Sequence, residues 1–289
     1  MASLTTNSMH IKQFSDSIIE AVQQNNSRLD GTVRRKEAVK AESFFFNKLG
    51  SLQLVEKTER NAPTPYLDPY HSRRKLITSQ FHGAVFVDSF DENRTNINGL
   101  PSDYMTALKK AAMRKKDDIL IYAATAKARE GKEGEIEVNF PTGNIVPNAA
   151  AGLTVERLLN ALEIMKEKDV DPEEKIYCII NAKAERKLLD EEKIINRDYS
   201  QGAVLDKGII GSWNRINFIH SERLLLDSNN DRQILLYTET ALGLGVSTEL
   251  KVKMADNPDR SFTPTIYVEM DMGAARIEDE KIVVLPCTE

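Results

Sequence analysis

The run Arg114-Lys115-Lys116-Asp117-Asp118 sets two carboxylates beside three cations, the side-chain types that acid–base or phosphate chemistry uses. On a helix, however, Arg114 and Asp118 stand four residues apart and can pair on one face, which accounts for the run without catalysis. Asp117-Asp118 and Glu191-Glu192 are accordingly read as solvated helix charge rather than general acids. Gly131-Lys132 is followed by Glu133, so the phosphate-cradling Gly-Lys-Ser/Thr loop is not formed. Gly243-Leu244-Gly245-Val246 lacks the third glycine and the strand-to-helix setting of a dinucleotide fingerprint, and reads as a place where backbones approach closely. His10, His71, His82 and His220 show no i,i+4 ligand spacing. No Gly-x-Ser-x-Gly elbow occurs. Cys178 and Cys287 form no Cys-x-x-Cys pair. No catalytic, cofactor-binding or metal residue is assigned, and an enzyme would have to assemble its site from dispersed positions.

Composition narrows the class further. With 289 residues, 41% hydrophobic and 29% charged, the chain is long enough for one large core or two intimate ones, and its usage is globular. Two distant cysteines fit a reducing compartment, and no apolar stretch approaches the ~20 residues that span a bilayer. The opening Met1-Ala2-Ser3-Leu4 lacks the regions of a signal peptide, so a soluble protein made in a cytoplasm is expected. Charge is uneven. Residues 1–130 hold 20 Lys and Arg against 15 Asp and Glu, a balance of +5, whereas residues 131–289 hold 19 against 29, a balance of −10. Such asymmetry suits a basic part of one copy meeting the acidic part of another, or an uneven solvated surface. The net charge of −5 argues against sequence-specific DNA binding, which needs a concentrated basic face.

The elements that would position these residues follow from periodicity. Ile11, Phe14, Ile18 and Val22 predict a short amphipathic helix over residues 11–23, followed by a polar stretch and the basic patch Arg34-Arg35-Lys36. This reads as an arm whose apolar stripe and Phe44-Phe45-Phe46 cluster need cover. Pro63, Pro65 and Pro69 make residues 62–99 extended, with a two-stranded excursion over 76–88. The strongest helix runs from 102 to about 129, capped by Ser102 or Asp103 and closed by Gly131. Beyond Pro147 the pattern alternates. Thr154 caps a helix carrying Leu158, Leu162 and Met165, residues 175–180 form a buried strand, and Asn181 caps a helix carrying Ala184 and Leu188. Strands follow at 216–219 and 234–237. The carboxy-terminal part is β-rich, with Ile266, Val268, Met270 and Met272 on one face of a strand, Thr265, Tyr267, Glu269 and Asp271 on the other, and a last strand at 281–285.

The order of several landmarks carries a resemblance. Tyr70-His71-Ser72-Arg73-Arg74-Lys75, Val87-Asp88, Ser102-Asp103-Tyr104 and Ala112-Met113-Arg114-Lys115-Lys116-Asp117-Asp118-Ile119 are followed by Leu153-Thr154, Asp198-Tyr199 and Gly208-Ile209-Ile210-Gly211. Gly273-Ala274-Ala275-Arg276-Ile277 and Ile282-Val283-Val284 close the series. Over residues 45–287 this resembles the major capsid proteins of tailed bacteriophages. The resemblance implies an α+β fold of the HK-ninety-seven type. Its parts would be an amino-terminal arm at 1–61, an E-loop region at 62–99, the spine helix and first part of a peripheral P-domain at 100–149, an axial A-domain at 150–244, and a return to the P-domain at 245–289.

The resemblance further implies self-assembly through hexamers and pentamers into an icosahedral head around double-stranded DNA, without an enzyme activity or a cofactor. The expected location is the virion, with assembly in the host cytoplasm. Only about 60 residues precede the E-loop region, so a separate scaffolding protein is expected rather than a fused one, together with a portal. Packaged DNA would be held without sequence readout, and no membrane contact is expected. Phe44, Phe45, Phe46, Arg73, Arg74 and Lys75 are the candidate inter-subunit contacts, the basic triplet meeting acidic surface on a neighbour. The competing readings are an encapsulin-like compartment shell and a small α/β enzyme around residues 150–244 with a pocket of perturbed ionisable groups.

Overall fold

A computed structural model describes residues 24–37, 43–61, 63–86, 100–148, 152–191, 205–206, 209–260 and 262–288. The expected helix at 11–23 and the landmarks Val87, Asp88, Asp198, Tyr199 and Gly208 lie outside these residues. Two compact units are present. One takes residues up to Asn26 together with Gln80–Arg114 and Glu249–Met270; the other takes Ser27–Ser79, Lys115–Thr248 and Asp271–Glu289.

The larger unit is built on a mixed five-stranded sheet. In it β7 (Ile176–Ile180) pairs parallel with β11 (Ile216–His220) and antiparallel with β12 (Arg232–Thr238), which pairs antiparallel with β15 (Ile282–Cys287); β10 (Ser212–Trp213) edges β11. Continuous apolar runs such as Ile234-Leu235-Leu236-Tyr237 and Ile282-Val283-Val284-Leu285 are buried, as strands covered on both faces require. Helices α2 (Val155–Glu167) and α3 (Ala182–Leu189) start where expected: Thr154 and Asn181 accept hydrogen bonds from the Arg157 and Ala184 amides. Leu158, Leu162, Met165, Ala184 and Leu188 join the same core. The last strand, β15, lies in this sheet and not with the terminal β-region, because six consecutive buried residues need covered faces on both sides. A short pair, β8 (Leu205–Asp206) with β9 (Ile209–Ile210), stands apart.

A second sheet places β2 (Ser43–Leu49), β3 (His71–Ile77), β5 (Ala128–Glu130) and β6 (Ile136–Val138) in that order, all antiparallel. Here the long helix differs from expectation. Helix α1 covers Leu100–Thr125, and Ala128–Glu130 leaves it to pair with both β3 and β6. Gly131, at φ +106, serves the β5–β6 turn and does not close the helix. The helix end is closed by Arg276. Its fully buried guanidinium donates to the Ala126 carbonyl at 2.8 Å and the Ala124 carbonyl at 3.4 Å, and to Val138 O at 3.1 Å. The Ala124 and Ala126 carbonyls are among the orphans a helix terminus leaves behind.

The third sheet has the order β1 (Arg34–Glu37), β13 (Leu242–Asn257), β14 (Thr263–Arg276) and β4 (Ser79–Phe86). The expected alternation is present: Ile266, Val268, Met270 and Met272 are buried. In the smaller unit Ile266 collects Tyr104, Met105, Leu108 and Val252 around it. The excursion expected over 76–88 is not one hairpin, since β3 and β4 belong to different sheets. The hairpin lies earlier, as β2 with β3, because the Phe44-Phe45-Phe46 run supplies the partner strand.

Candidate assembly surface

The β2–β3 hairpin gathers all six candidate contact residues. Its register sets Phe44 opposite Leu76, Phe45 opposite Lys75, Phe46 opposite Arg74 and Asn47 opposite Arg73. The strand period of two then divides them by face. Phe46 and Arg74 turn inward and are buried, so these two are engaged by the chain's own body rather than left for a neighbour. Phe46 packs with Leu76, Ala275 and Ile277, and half-buried Phe44 meets it edge-on at 5.0 Å.

The Gly-x-Gly run of β13 fits beneath that inner face. A Cβ on Gly243 would lie 2.5 Å from Phe46 ring atoms, and one on Gly245 2.7 Å from Leu76 Cδ2. The glycines therefore admit side chains onto a strand backbone, at the two-residue spacing of one strand face. Gly273 is tighter still, because a Cβ there would overlap the Ile77 carbonyl oxygen. Arg74 donates to Asp279 at 2.6 Å and stands 3.4 Å from Glu130, while Asp279 also takes Arg276 Nε at 2.5 Å. Burial pulls the Arg276 pKa below its ordinary value and the Asp279 carboxylate opposes that pull.

The outer face is different in kind. Phe45 and Lys75 are half-buried with the ammonium 5.9 Å from the ring centroid, and Arg73 is exposed. Lys75 also donates to the Glu133 carbonyl at 3.0 Å. Beyond Gly50, whose amide donates to Tyr70 O at 2.8 Å, residues 51–61 and 63–70 carry no helix or strand. They hold Leu52, Leu54, Val55, Tyr66, Leu67 and Tyr70 in the open, Leu54 at 94% and Tyr66 at 100% exposure. That density of large exposed apolar groups marks an interaction surface. Residues 51–58 alternate too weakly to suggest any element, and the sequence signal for this surface is the three prolines beside Tyr66, Leu67 and Tyr70.

Other singled-out residues are spent on the fold. Arg34 sits 5.9 Å from the Phe46 centroid and Lys36 5.8 Å from that of Phe44, within a strand paired parallel to β13; Arg35 binds Asp30 and Glu37. Asp118 takes a two-pronged hydrogen bond from Arg223. Asp117 is wholly buried and not a solvated charge.

The αβ section of the larger unit contains a cleft of about 320 Å³ lined by residues including Leu153, Asn181, Lys183, Arg186, Arg232 and Cys287. Burial pushes the Cys287 thiol up, against the pull of Arg157 whose guanidinium lies 3.1 Å from Sγ. A thiol so placed stays protonated and weakly nucleophilic. Among the described residues no group of His, Cys, Asp and Glu could hold a metal, and no helix is long and apolar enough to cross a membrane.

Comparison with known proteins gives a consistent result. A sequence model described as phage capsid protein matches residues 6–289. No curated protein matches. Among solved structures, the capsid of Ralstonia phage GP4 superposes with a TM-score of 0.74 at 12% identity, covering 97% of this chain and 96% of that one. The head of Helicobacter pylori bacteriophage KHP40 gives 0.74 at 10% identity over 98% and 97%. The capsid of cyanophage P-SCSP1u gives 0.72 at 17% over 98% and 94%. The α+β shell fold of these heads is also the fold of this chain.

Proposed function

The chain belongs to the phage capsid protein family, a structural major capsid protein of bacteriophage heads, and from that premise we propose that it builds an icosahedral shell through hexamers and pentamers of itself. The observation that carries this reading is the loop over residues 51–70, whose large apolar side chains stand exposed, Leu54 at 94% and Tyr66 at 100%. Copies arranged head to tail would cover them and close into rings. The β2–β3 hairpin with this loop acts as the E-loop, Phe45, Arg73 and Lys75 of its outer face touch the neighbour, and α1 is the spine. Residues 150–244 form the axial domain, and the β13–β14 hairpin belongs to the peripheral domain. Function is by packing and not by turnover.

Scaffolding protein and portal are the assembly partners, in the host cytoplasm, and double-stranded DNA fills the finished virion. The DNA is held without sequence readout. A net charge of −5 and the engagement of Arg34, Arg35 and Lys36 by rings and carboxylates support a weakly interacting wall. Electron microscopy and sedimentation of the purified chain test the reading. Shells, capsomers or tubes are expected; a monomer at every concentration would overturn it.

A further inference from the structure

We infer that Asp117 is the positioning residue that sets where the amino-terminal arm leaves the body of the subunit. A buried carboxylate in a helix interior is costly unless its lone pairs are taken, and here the chain just after the arm takes them. Asp117 accepts from Ser27 Oγ at 2.6 Å, from the Arg28 amide at 3.1 Å and more weakly from the Leu29 amide at 3.4 Å. Ser27 Oγ in turn accepts from the Asp30 amide at 3.2 Å, so hydroxyl, carboxylate and turn are interlocked.

The neighbouring helix residue repeats the contact from the other side. Lys116, also buried, reaches Asp30 Oδ2 at 3.1 Å, the same oxygen that Arg35 holds at 3.1 Å. Beyond the turn, Thr32 Oγ1 lies 2.6 Å from the buried Tyr237 hydroxyl, and Leu29 and Val33 enter the main core. Arg28 hydrogen-bonds the His220 backbone carbonyl. Residues 27–33 are thus held by one carboxylate at their start and by apolar burial at their end. Without the carboxylate the Arg28 and Leu29 amides and the Ser27 hydroxyl lose an acceptor, and Ser27 and Arg28 detach while Leu29 and Val33 stay seated in the core. The anchor of the preceding chain then moves from Ser27 to Leu29, and the contact proposed for the arm in assembly loses its fixed starting point.

The consequence for particles rests on the assembly reading, but the clamp is measured on unassembled chain. Limited trypsin digestion with mass spectrometry reports cleavage after Arg28, with Arg60 in the open loop as the accessible reference and Arg186 on α3 as the reporter of general opening. Asp117→Asn, which keeps shape and removes the charge, is expected to raise the Arg28 rate relative to Arg60 by about tenfold, and Ser27→Ala by about threefold, with Arg186 unchanged. An Arg28 rate within twofold of the wild type, or a parallel rise at Arg186, would overturn the clamp. In assembly, Asp117→Asn is expected to give particles of broadened size. A wild-type size distribution from a variant whose Arg28 site has opened would remove the positioning role and leave the capsid function standing. Failure of the wild type itself to assemble would remove both.

Discussion

The two ends of the β2–β3 hairpin are a few residues apart in sequence and opposite in fate. At its base, Phe46, Arg74 and Leu76 are buried against glycine backbone, an aspartate and a buried arginine. At its tip, Leu54 and Tyr66 meet no cover. Both ends are rich in apolar residues, so hydrophobicity alone does not separate them. What separates them is a partner surface shaped in advance: two glycines spaced for two side chains, and a carboxylate shared by two guanidinium groups. The base is an interior; the tip is open apolar surface.

The sharpest test of the base is Arg276→Ala. It strips the α1 carbonyls and leaves Asp279 with half its charge partners, and a loss of about 3–5 kcal/mol is expected in denaturant unfolding. A change below about 1 kcal/mol would show that water replaces the guanidinium and that the base is not sealed.

Gly273→Ala comes next. The added methyl must displace the Ile77 carbonyl, at a cost of about 1–3 kcal/mol and with a shifted β3. Unchanged stability would mean that β3 moves freely against β14 and that the base is not a packed interior.

Lys48→Met probes the edge of the base, where Lys48 Nζ lies 3.3 Å from Glu280 and both side chains are partly exposed. Burial raises the Glu280 pKa, but hydrogen bonds from its own backbone and from Lys48, with the charge of Lys48, hold it below the ordinary 4.5. A depressed carboxylate contributes stability above pH 4.5 and loses it as pH falls through the folded value. The variant should lose less than about 1 kcal/mol at neutral pH, and its deficit should shrink on acidification; a deficit that grows below pH 4 would refute the pairing.

The tip should respond least in stability and most in assembly. Leu54→Ser with Tyr66→Ser is expected to change unfolding by less than about 0.5 kcal/mol while particle yield collapses in sedimentation. Normal particles would return the tip to ordinary surface.

Much of this was legible locally. Thr154 and Asn181 announce helix starts because a cap satisfies amides two or three residues away, and the runs of β7, β12 and β15 announce burial because every face is apolar. The inward set Ile266, Val268, Met270 and Met272 follows from a period of two within one strand. The six candidate contacts were found together, but their division into inner and outer faces depended on a register with β3 that no single segment encodes.

The limits have a common cause. By itself the sequence determined the kinds of element, their capping and the side of each strand that is apolar, since those depend on interactions within a few residues. Tertiary structure alone decided that Ala128–Glu130 leaves a helical pattern for a sheet, that Asp117 is an interior carboxylate, and that Gly243 and Gly245 receive Phe46 and Leu76. Each of those outcomes is chosen by a partner tens to hundreds of residues away, whose arrival changes which polar groups are satisfied and which surfaces are dry.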